Sequence, residues 1–469
     1  MTLPVVPDRI LAELGRTGGA PETLNLLVRH QNTRQMLALR AVLDAAEAAD
    51  PTLCPPGWKA RLREDWALLA EADRAATPSP ARARLLYPLT NAWAWHCLRT
   101  LSGRRPVTAE RRRRLGRDLA HFGALAAAAA VRAGLPFTVR LTAYDGVLTL
   151  PSLGALSTAD PGDSDVELVH RRGLTLRQHN AGDVRVHPEA DFGAWSGALA
   201  WTPAHALPGL LPDAPPVPLD DLDPHRAARP PRGGSSLGGP VTLDDSGRKQ
   251  WAQVWSGTAE ALRRGGEHRV AETLALLRCL VPLAPPPGSA THGSCSASLG
   301  EAFGALLSSV PPDPAALAST LVHELHHSKL SALATMVTLH QATLERRYFA
   351  PWKPDPRPYD SLLQGAYAHL AVADYQQRRA LADPIHGDAA WTQHARCHAM
   401  VGAVLPALVG SPDLTARGRL FVDAMVSAYE RMTEHPAPRG HRARAEAYVR
   451  AARMLFRQRH ASALRRPNE

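Results

Sequence analysis

Lysine is nearly missing from this chain: four of the 469 residues, at positions 59, 249, 329 and 353. Cysteine is sparse too, with five residues, Cys54, Cys97, Cys279, Cys295 and Cys397. They are scattered, odd in number and form no CxxC pair, which excludes a cysteine zinc site and fits free thiols in a reducing cytoplasm. No apolar run approaches the roughly 18 residues a membrane span needs, so no membrane association is expected. The start, Met1-Thr2-Leu3-Pro4-Val5-Val6-Pro7-Asp8, lacks a basic region followed by an apolar stretch, and no secretory signal is expected there.

The charge that is present is mostly arginine, and it leaves a formal net charge of +10. With abundant Ala, Pro and Gly, the skew reads as the composition of a GC-rich bacterial genome rather than as a nucleic-acid footprint, so no nucleic-acid partner is expected. The run Arg111-Arg112-Arg113-Arg114 beside Glu110 reads as the solvated face of a helix; an acidic peptide partner is the other reading.

Length alone suggests two or three packing units. Residues 1–135 read as an N-terminal helical region. Thr33–Ala49 and Leu85–Leu101 carry apolar residues at helical spacing, and an Ala-rich helix from about Leu115 to Ala133 stops at Gly134. The stretch Ala124–Val131 inside it reads as buried. Residues 136–205 read as a small β element. Phe137, Val139 and Leu141 alternate with polar residues, Asp145-Gly146 makes a turn, and Leu148 and Leu150 alternate again, which predicts a hairpin. Further strands are predicted at Val166–Leu176 and Asp183–His187. Residues 206–245 read as a Pro- and Gly-rich linker. Residues 246–469 read as a helical metal-binding domain, with helices at Gly247–Leu262, His268–Leu280, a short one ending near Leu307, Leu317–Leu333 and Ser361–Arg379, then two or three more. The polar last few residues are expected to be disordered. The predicted fold is therefore mainly α: a helical metal-binding core with a small β element inserted near the middle of the chain.

The chemistry concentrates at Leu321-Val322-His323-Glu324-Leu325-His326-His327. Helix positions i and i+4 share a face, so His323 and His327 can hold one ion, with Glu324 placed to act on a metal-bound water or to orient a ligand. Leu321, Val322, Leu325 and Leu330 would bury the helix. His326 lies one position off the ligand face and reads as a structural or supporting residue. A third ligand must come from elsewhere. His369 is the candidate, one helical turn beyond Gly365, where a missing Cβ allows close approach. Glu345, Asp360 and Asp374 compete with it, and a carboxylate would complete the facial triad of a non-haem iron site. Lys329 and Lys353 flank the region. Arg357, framed by prolines in Asp355-Pro356-Arg357-Pro358, suits bidentate capture of a carboxylate.

These segments resemble the HExxH-type peptide β-hydroxylases of bacterial clusters that make ribosomally synthesised, modified peptides. The resemblance is carried by Leu321–Leu330, by Tyr348-Phe349-Ala350-Pro351-Trp352, by Asp355–Pro358 and by Leu363-Gln364-Gly365-Ala366-Tyr367-Ala368-His369. Weaker likenesses lie at Leu150–Gly154, Asp220–Pro224 and Ala302–Gly304. The resemblance implies iron(II), the cosubstrates 2-oxoglutarate and dioxygen, and hydroxylation at a β-carbon of a residue in a precursor peptide. It also implies that Arg357 meets the far carboxylate of 2-oxoglutarate. Two other readings stand beside it. A zinc metallopeptidase would use Glu324 as general base, and Glu345 follows His327 at nearly the distance of the third ligand in glutamate-type zinc peptidases. A non-catalytic peptide-binding scaffold would carry the motif helix as a vestige.

Overall fold

The computed structural model describes residues 6–103, 106–226, 238–286 and 295–460. Parts of the expected linker and the expected disordered tail lie outside the described residues. No described helix is long and apolar enough to cross a membrane.

The chain divides into two compact units that interleave in sequence. The first comprises Met1–His30, Gln253–Leu277 and Pro311–Glu469; the second comprises Gln31–Ala252 and Arg278–Val310.

The regular elements of the first unit are helices among its described residues, joined by loops. Its helices include Asp8–Gly15, Thr258–Arg263, Glu267–Leu276, Pro314–Ala334, Tyr359–Ala382, Asp388–Val409, Ala416–Arg431 and Arg439–His460. Local chemistry starts the central one, Pro314–Ala334. The Asp313 carboxylate accepts from the Ala316 amide at 2.8 Å, and Pro314 occupies the first turn, where its missing N–H costs nothing. Leu317, Leu321, Leu325, Leu330 and Leu333 are all buried, so this helix is wrapped by its neighbours rather than lying on the surface.

The second unit holds helices and all three described sheets. Its Ala-rich helix, Ala109–Arg132, starts at Thr108, whose hydroxyl accepts from the Arg111 amide at 3.1 Å. It ends where Gly134 takes φ +71°, and the Leu135 amide returns to the Ala130 carbonyl at 3.0 Å.

The expectation of a single small β element is corrected here. One five-stranded antiparallel sheet runs in the order Phe137–Ala143, Ser164–His170, Leu174–Gln178, Val184–Pro188, Ala194–Trp195. A three-stranded sheet joins Val147–Leu150, Gly154–Ser157 and Trp201–Pro203. A second five-stranded sheet orders Ser296–Ser298, Ala305–Ser308, Cys279–Pro282, Val217–Leu219 and His205–Leu207. Its central strands, Cys279–Pro282 and Ala305–Ser308, pair in parallel and are buried at every residue. Four-residue apolar runs with no alternation look alike in a helix and in a two-sided strand. That is why the helix expected to reach Leu280 ends at Leu276, and why the short helix expected before Leu307 is a strand.

The hairpin is corrected as well. The turn is there, with Asp145 at φ +50° and Gly146 at φ +76°. Beyond one bridge between Tyr144 and Val147, however, the flanking strands pair elsewhere: Phe137–Ala143 with Ser164–His170, and Val147–Leu150 with Gly154–Ser157. Turn chemistry is local, whereas strand partners are chosen by what the whole unit buries. The expected strand Val166–Leu176 is likewise two strands, because the chain reverses at 171–173.

Candidate functional site

Two helices of the first unit build the site. Pro314–Ala334 carries His323 and His327 one turn apart, and Tyr359–Ala382 brings His369 against them. The Nε2 atoms of His323 and His327 are 3.1 Å apart, and the two rings meet edge to face with centroids at 4.7 Å. The His369 ring stands nearly perpendicular to His323, with centroids at 5.0 Å. Two imidazoles held about 2.1 Å from one ion, at roughly 90–109°, place their nitrogens about 3.0–3.4 Å apart and their centroids about 4.6–5.3 Å apart. The His323–His327 pair meets both conditions, and His323–His369 meets the centroid condition. The same 3.1 Å suits a direct hydrogen bond with His323 Nε2–H donating. Among the described residues, no three His, Cys, Asp or Glu side chains stand gathered as a complete metal-holding group. The arrangement fits two ligands of an ion with a third ring on one flank.

In two of the rings Nδ1 is engaged by a neighbour, which leaves the Nε2 lone pair for another partner. His327 Nδ1–H donates to Gln364 Oε1 at 3.3 Å, and the Gln364 amide nitrogen donates to Ser331 Oγ at 3.3 Å. His369 Nδ1–H donates to the Gly365 carbonyl at 2.7 Å. An imidazole that donates through Nδ1 keeps its Nε2 lone pair for a ligand, and such outer partners fix ring orientation and basicity. All three rings are half-buried. Burial first, then the neighbouring imidazoles, lowers His323 and His369 to about 3, so both are neutral over the whole physiological range.

An unfolded chain protonates these imidazoles below about 6.5, while the folded one refuses the proton until about 3. Their contribution to stability is therefore complete above pH 6.5 and is lost progressively as pH falls towards 3. We expect the metal-free protein to lose on the order of 2 kcal/mol per buried ring between pH 7 and 5, read as a falling denaturation midpoint. A midpoint that stays flat across that interval would show the rings to be solvated.

A loop seals the third ring. The chain between the two site helices closes on itself where Tyr348 and Arg357 exchange backbone hydrogen bonds of 3.0 and 2.9 Å. The helix Arg439–His460 pins this loop: Tyr448 Oη donates to the Pro351 carbonyl at 3.1 Å, and Phe456 packs on Phe349 with ring centroids at 5.2 Å. Trp352 then stacks on His369, centroids 4.7 Å apart and planes 23° off parallel. Gly365 makes the room, since a Cβ there would lie 2.5 Å from the indole Cζ2 and 2.8 Å from its Nε1. The close approach expected at Gly365 is that of a tryptophan. Gly365→Ala is expected to push Trp352 off His369 and weaken metal binding about tenfold or more, read by anaerobic iron(II) titration with indole fluorescence as a second reporter. Unaltered fluorescence and affinity would show the contact to be incidental.

The remaining candidates separate cleanly. Glu324 is buried, at 4% exposure. Arg357 is half-buried at the base of the Trp352 loop, and its guanidinium has no hydrogen-bond or ion-pair partner among the described residues. Lys353 is exposed in the same loop. The competing carboxylates are committed elsewhere. Glu345 is exposed and pairs with Arg347 at 3.4 Å, and Asp360 is exposed and faces His340 at 3.4 Å.

Asp374 belongs to a buried ion network with Arg269, Glu272 and Lys329. Arg269 bridges Asp374 at 3.0 Å and Glu272 at 2.9 Å, and Lys329 reaches Glu272 at 2.8 Å. His326 sits in that network as well. Its Nδ1–H donates to the Val322 carbonyl at 2.6 Å, and its Nε2 accepts from Lys329 and Arg269, each at 3.2 Å. Burial would raise the Glu272 carboxyl, but Lys329 and Arg269 outweigh it and hold the group well below its usual range. His326 and Lys329 are thus structural members of the helix that carries the site.

Gln364, Ser331 and Trp352 were not singled out by residue type. The glycine four residues before His369 was the one signal that something large approaches there. Neither a known family model nor any curated protein matches this chain.

Proposed function

We propose that this chain is an iron(II)- and 2-oxoglutarate-dependent hydroxylase acting at a β-carbon of a residue in a ribosomally made precursor peptide, in the cytoplasm. One observation carries the reading: two imidazoles one helical turn apart with Nε2 atoms 3.1 Å apart, and a third ring beside them, in a half-buried setting. The iron with 2-oxoglutarate and dioxygen would supply the oxidising chemistry, one oxygen atom going to the peptide carbon.

The chain's own residues do the positioning. His323 and His327 hold the metal, with His369 as third ligand. Gln364 and the Gly365 carbonyl fix the tautomers of His327 and His369, so neither ring needs to shed a proton to bind. Trp352 covers the outer face of His369 and keeps water from it. Arg357 captures the far carboxylate of 2-oxoglutarate through its planar fork, which no side chain among the described residues engages. Glu324, buried beside the pair, orients a ligand. Glu345, the third ligand that a glutamate-type zinc peptidase would need, is exposed and paired with Arg347, which favours the hydroxylase over the peptidase.

The test is anaerobic reconstitution with iron(II), then 2-oxoglutarate, air and any precursor peptide encoded beside the gene. The expected result is a peptide heavier by one oxygen atom, with one equivalent of succinate. Cleaved peptide under zinc, with no succinate, replaces this reading with the peptidase. Stoichiometric metal binding with no turnover on any peptide replaces it with the scaffold. In the same assay Arg357→Ala is expected to raise the 2-oxoglutarate concentration for half-maximal rate about tenfold or more, the scale of a lost charge-assisted fork. An unchanged requirement removes Arg357 from the site.

A further inference from the structure

The second unit contains a cavity of about 1120 Å³ whose wall is strongly cationic. Four guanidiniums line it, those of Arg99, Arg114, Arg117 and Arg226, against two carboxylates, Asp118 and Glu301. Arg114 closes the Arg111–Arg114 run, and among the described residues it pairs with Glu110 at a loose 3.9 Å. Arg117, one turn on, reaches Asp145 and lies over the Tyr144 ring. Arg99 pairs with Glu301 at the surface. Arg226 donates to the Asp223 carbonyl at 2.7 Å and to Thr242 Oγ1 at 3.4 Å, while its Nε is buried with no hydrogen-bond partner. His96 Nε2 stands 3.0 Å from Asp118 Oδ2, yet that oxygen is buried without a well-aligned hydrogen bond.

His121 and His225 also line the cavity, their rings edge to face at 4.7 Å. Burial lowers both, His121 to about 4. They are therefore neutral, each with one donor and one acceptor nitrogen, which suits backbone amides rather than charge. Guanidiniums, by contrast, match carboxylates. The volume exceeds the roughly 300–1000 Å³ typical of small-ligand pockets. The arginines come from two helices, Pro88–Leu101 and Ala109–Arg132, and from the segment at 222–226. An extended ligand with carboxylates along its length satisfies all of these features together; a single small anion does not.

We propose that this cavity binds an acidic peptide segment, its Asp and Glu side chains meeting Arg114, Arg117 and Arg226 and its backbone meeting His121 and His225. Binding itself does not depend on the hydroxylase reading; only the identification of this segment with part of the hydroxylated precursor rests on it. The assay needs no iron and no turnover, so the two readings fail separately.

Fluorescein-labelled octaglutamate is titrated into the full, metal-free chain and followed by anisotropy, with octaglutamine as control. Octaglutamate is expected to bind and octaglutamine not, with affinity falling as salt rises. Arg117→Gln and Arg226→Gln should each weaken binding about tenfold or more. Arg112→Gln, on the same basic run but outside the cavity, should leave it unchanged. Thr149→Trp, which fills the cavity while keeping every arginine, should also weaken it, with far-UV circular dichroism confirming the fold of each variant. The proposal is overturned if octaglutamate does not bind, if folded Arg117→Gln and Arg226→Gln bind as the parent does, if folded Thr149→Trp binds normally, or if inorganic phosphate displaces the peptide at equal concentration.

Discussion

Alanine at either His323 or His327 is expected to weaken iron(II) binding at least hundredfold and to abolish turnover, while the chain stays folded. Each ring is half-buried and contributes one of two nitrogens that stand 3.1 Å apart. Removing one breaks the one-turn chelate of this helix face and leaves the remaining ring with His369 alone to hold the ion. Loss of an outer partner such as Gln364 acts only through orientation and typically costs 10–100-fold in affinity, so Gln364→Leu should fall between the parent and the two alanine variants. The fold should tolerate these changes, because the motif helix is anchored by its leucines and by the ion network. Iron content after anaerobic loading and gel filtration gives the direct readout. His369→Ala decides whether two or three imidazoles bind. Retention of full affinity there would remove His369 from the ligand set, and retention in His323→Ala would end the metal reading altogether.

The second large effect is on stability. Lys329→Met is expected to destabilise the first unit by about 3–5 kcal/mol, the usual cost of removing one partner from a buried ion pair. Lys329 is fully buried, and its ammonium lies 2.8 Å from Glu272. Burial alone lowers its pKa, and Glu272 only partly opposes this. Without the ammonium, Glu272 keeps Arg269, but Arg269 must then serve both Glu272 and Asp374, and His326 Nε2 loses a donor. The double variant Lys329→Met, Glu272→Leu should lose less than the sum of the single changes, since neither charge is then stranded. Urea unfolding of the four proteins measures the coupling. A single-variant loss under about 1 kcal/mol, or strict additivity, would mean that water reaches the network.

Much of the site was legible before any fold was known. The pairing of His323 with His327 follows from helix geometry, because four residues make about one turn. The helix around them was readable from its leucines, although it begins at Pro314 behind the Asp313 cap rather than at Leu317. His369 was approachable because Gly365 announced a close neighbour, although the identity of that neighbour, Trp352, was not. The carboxylates were harder. Glu345, Asp360 and Asp374 looked equivalent as residue types, yet two are exposed and one is sealed among arginines. Lys329, noted for its place beside the motif, belongs to the core rather than to the chemistry, since its partner Glu272 lies 57 residues away along the chain.

Sequence alone determined the helices around Leu115–Ala133, Leu317–Leu333 and Ser361–Arg379, the turn at Asp145-Gly146 and the two-histidine face, because each depends on contacts within a few residues. Tertiary structure decided which strands pair, that Cys279–Pro282 and Ala305–Ser308 are strands at all, and which charges meet in the interior. Those outcomes depend on segments brought together only when apolar surface and unpaired charge are buried at once, and no local pattern records which segments those will be.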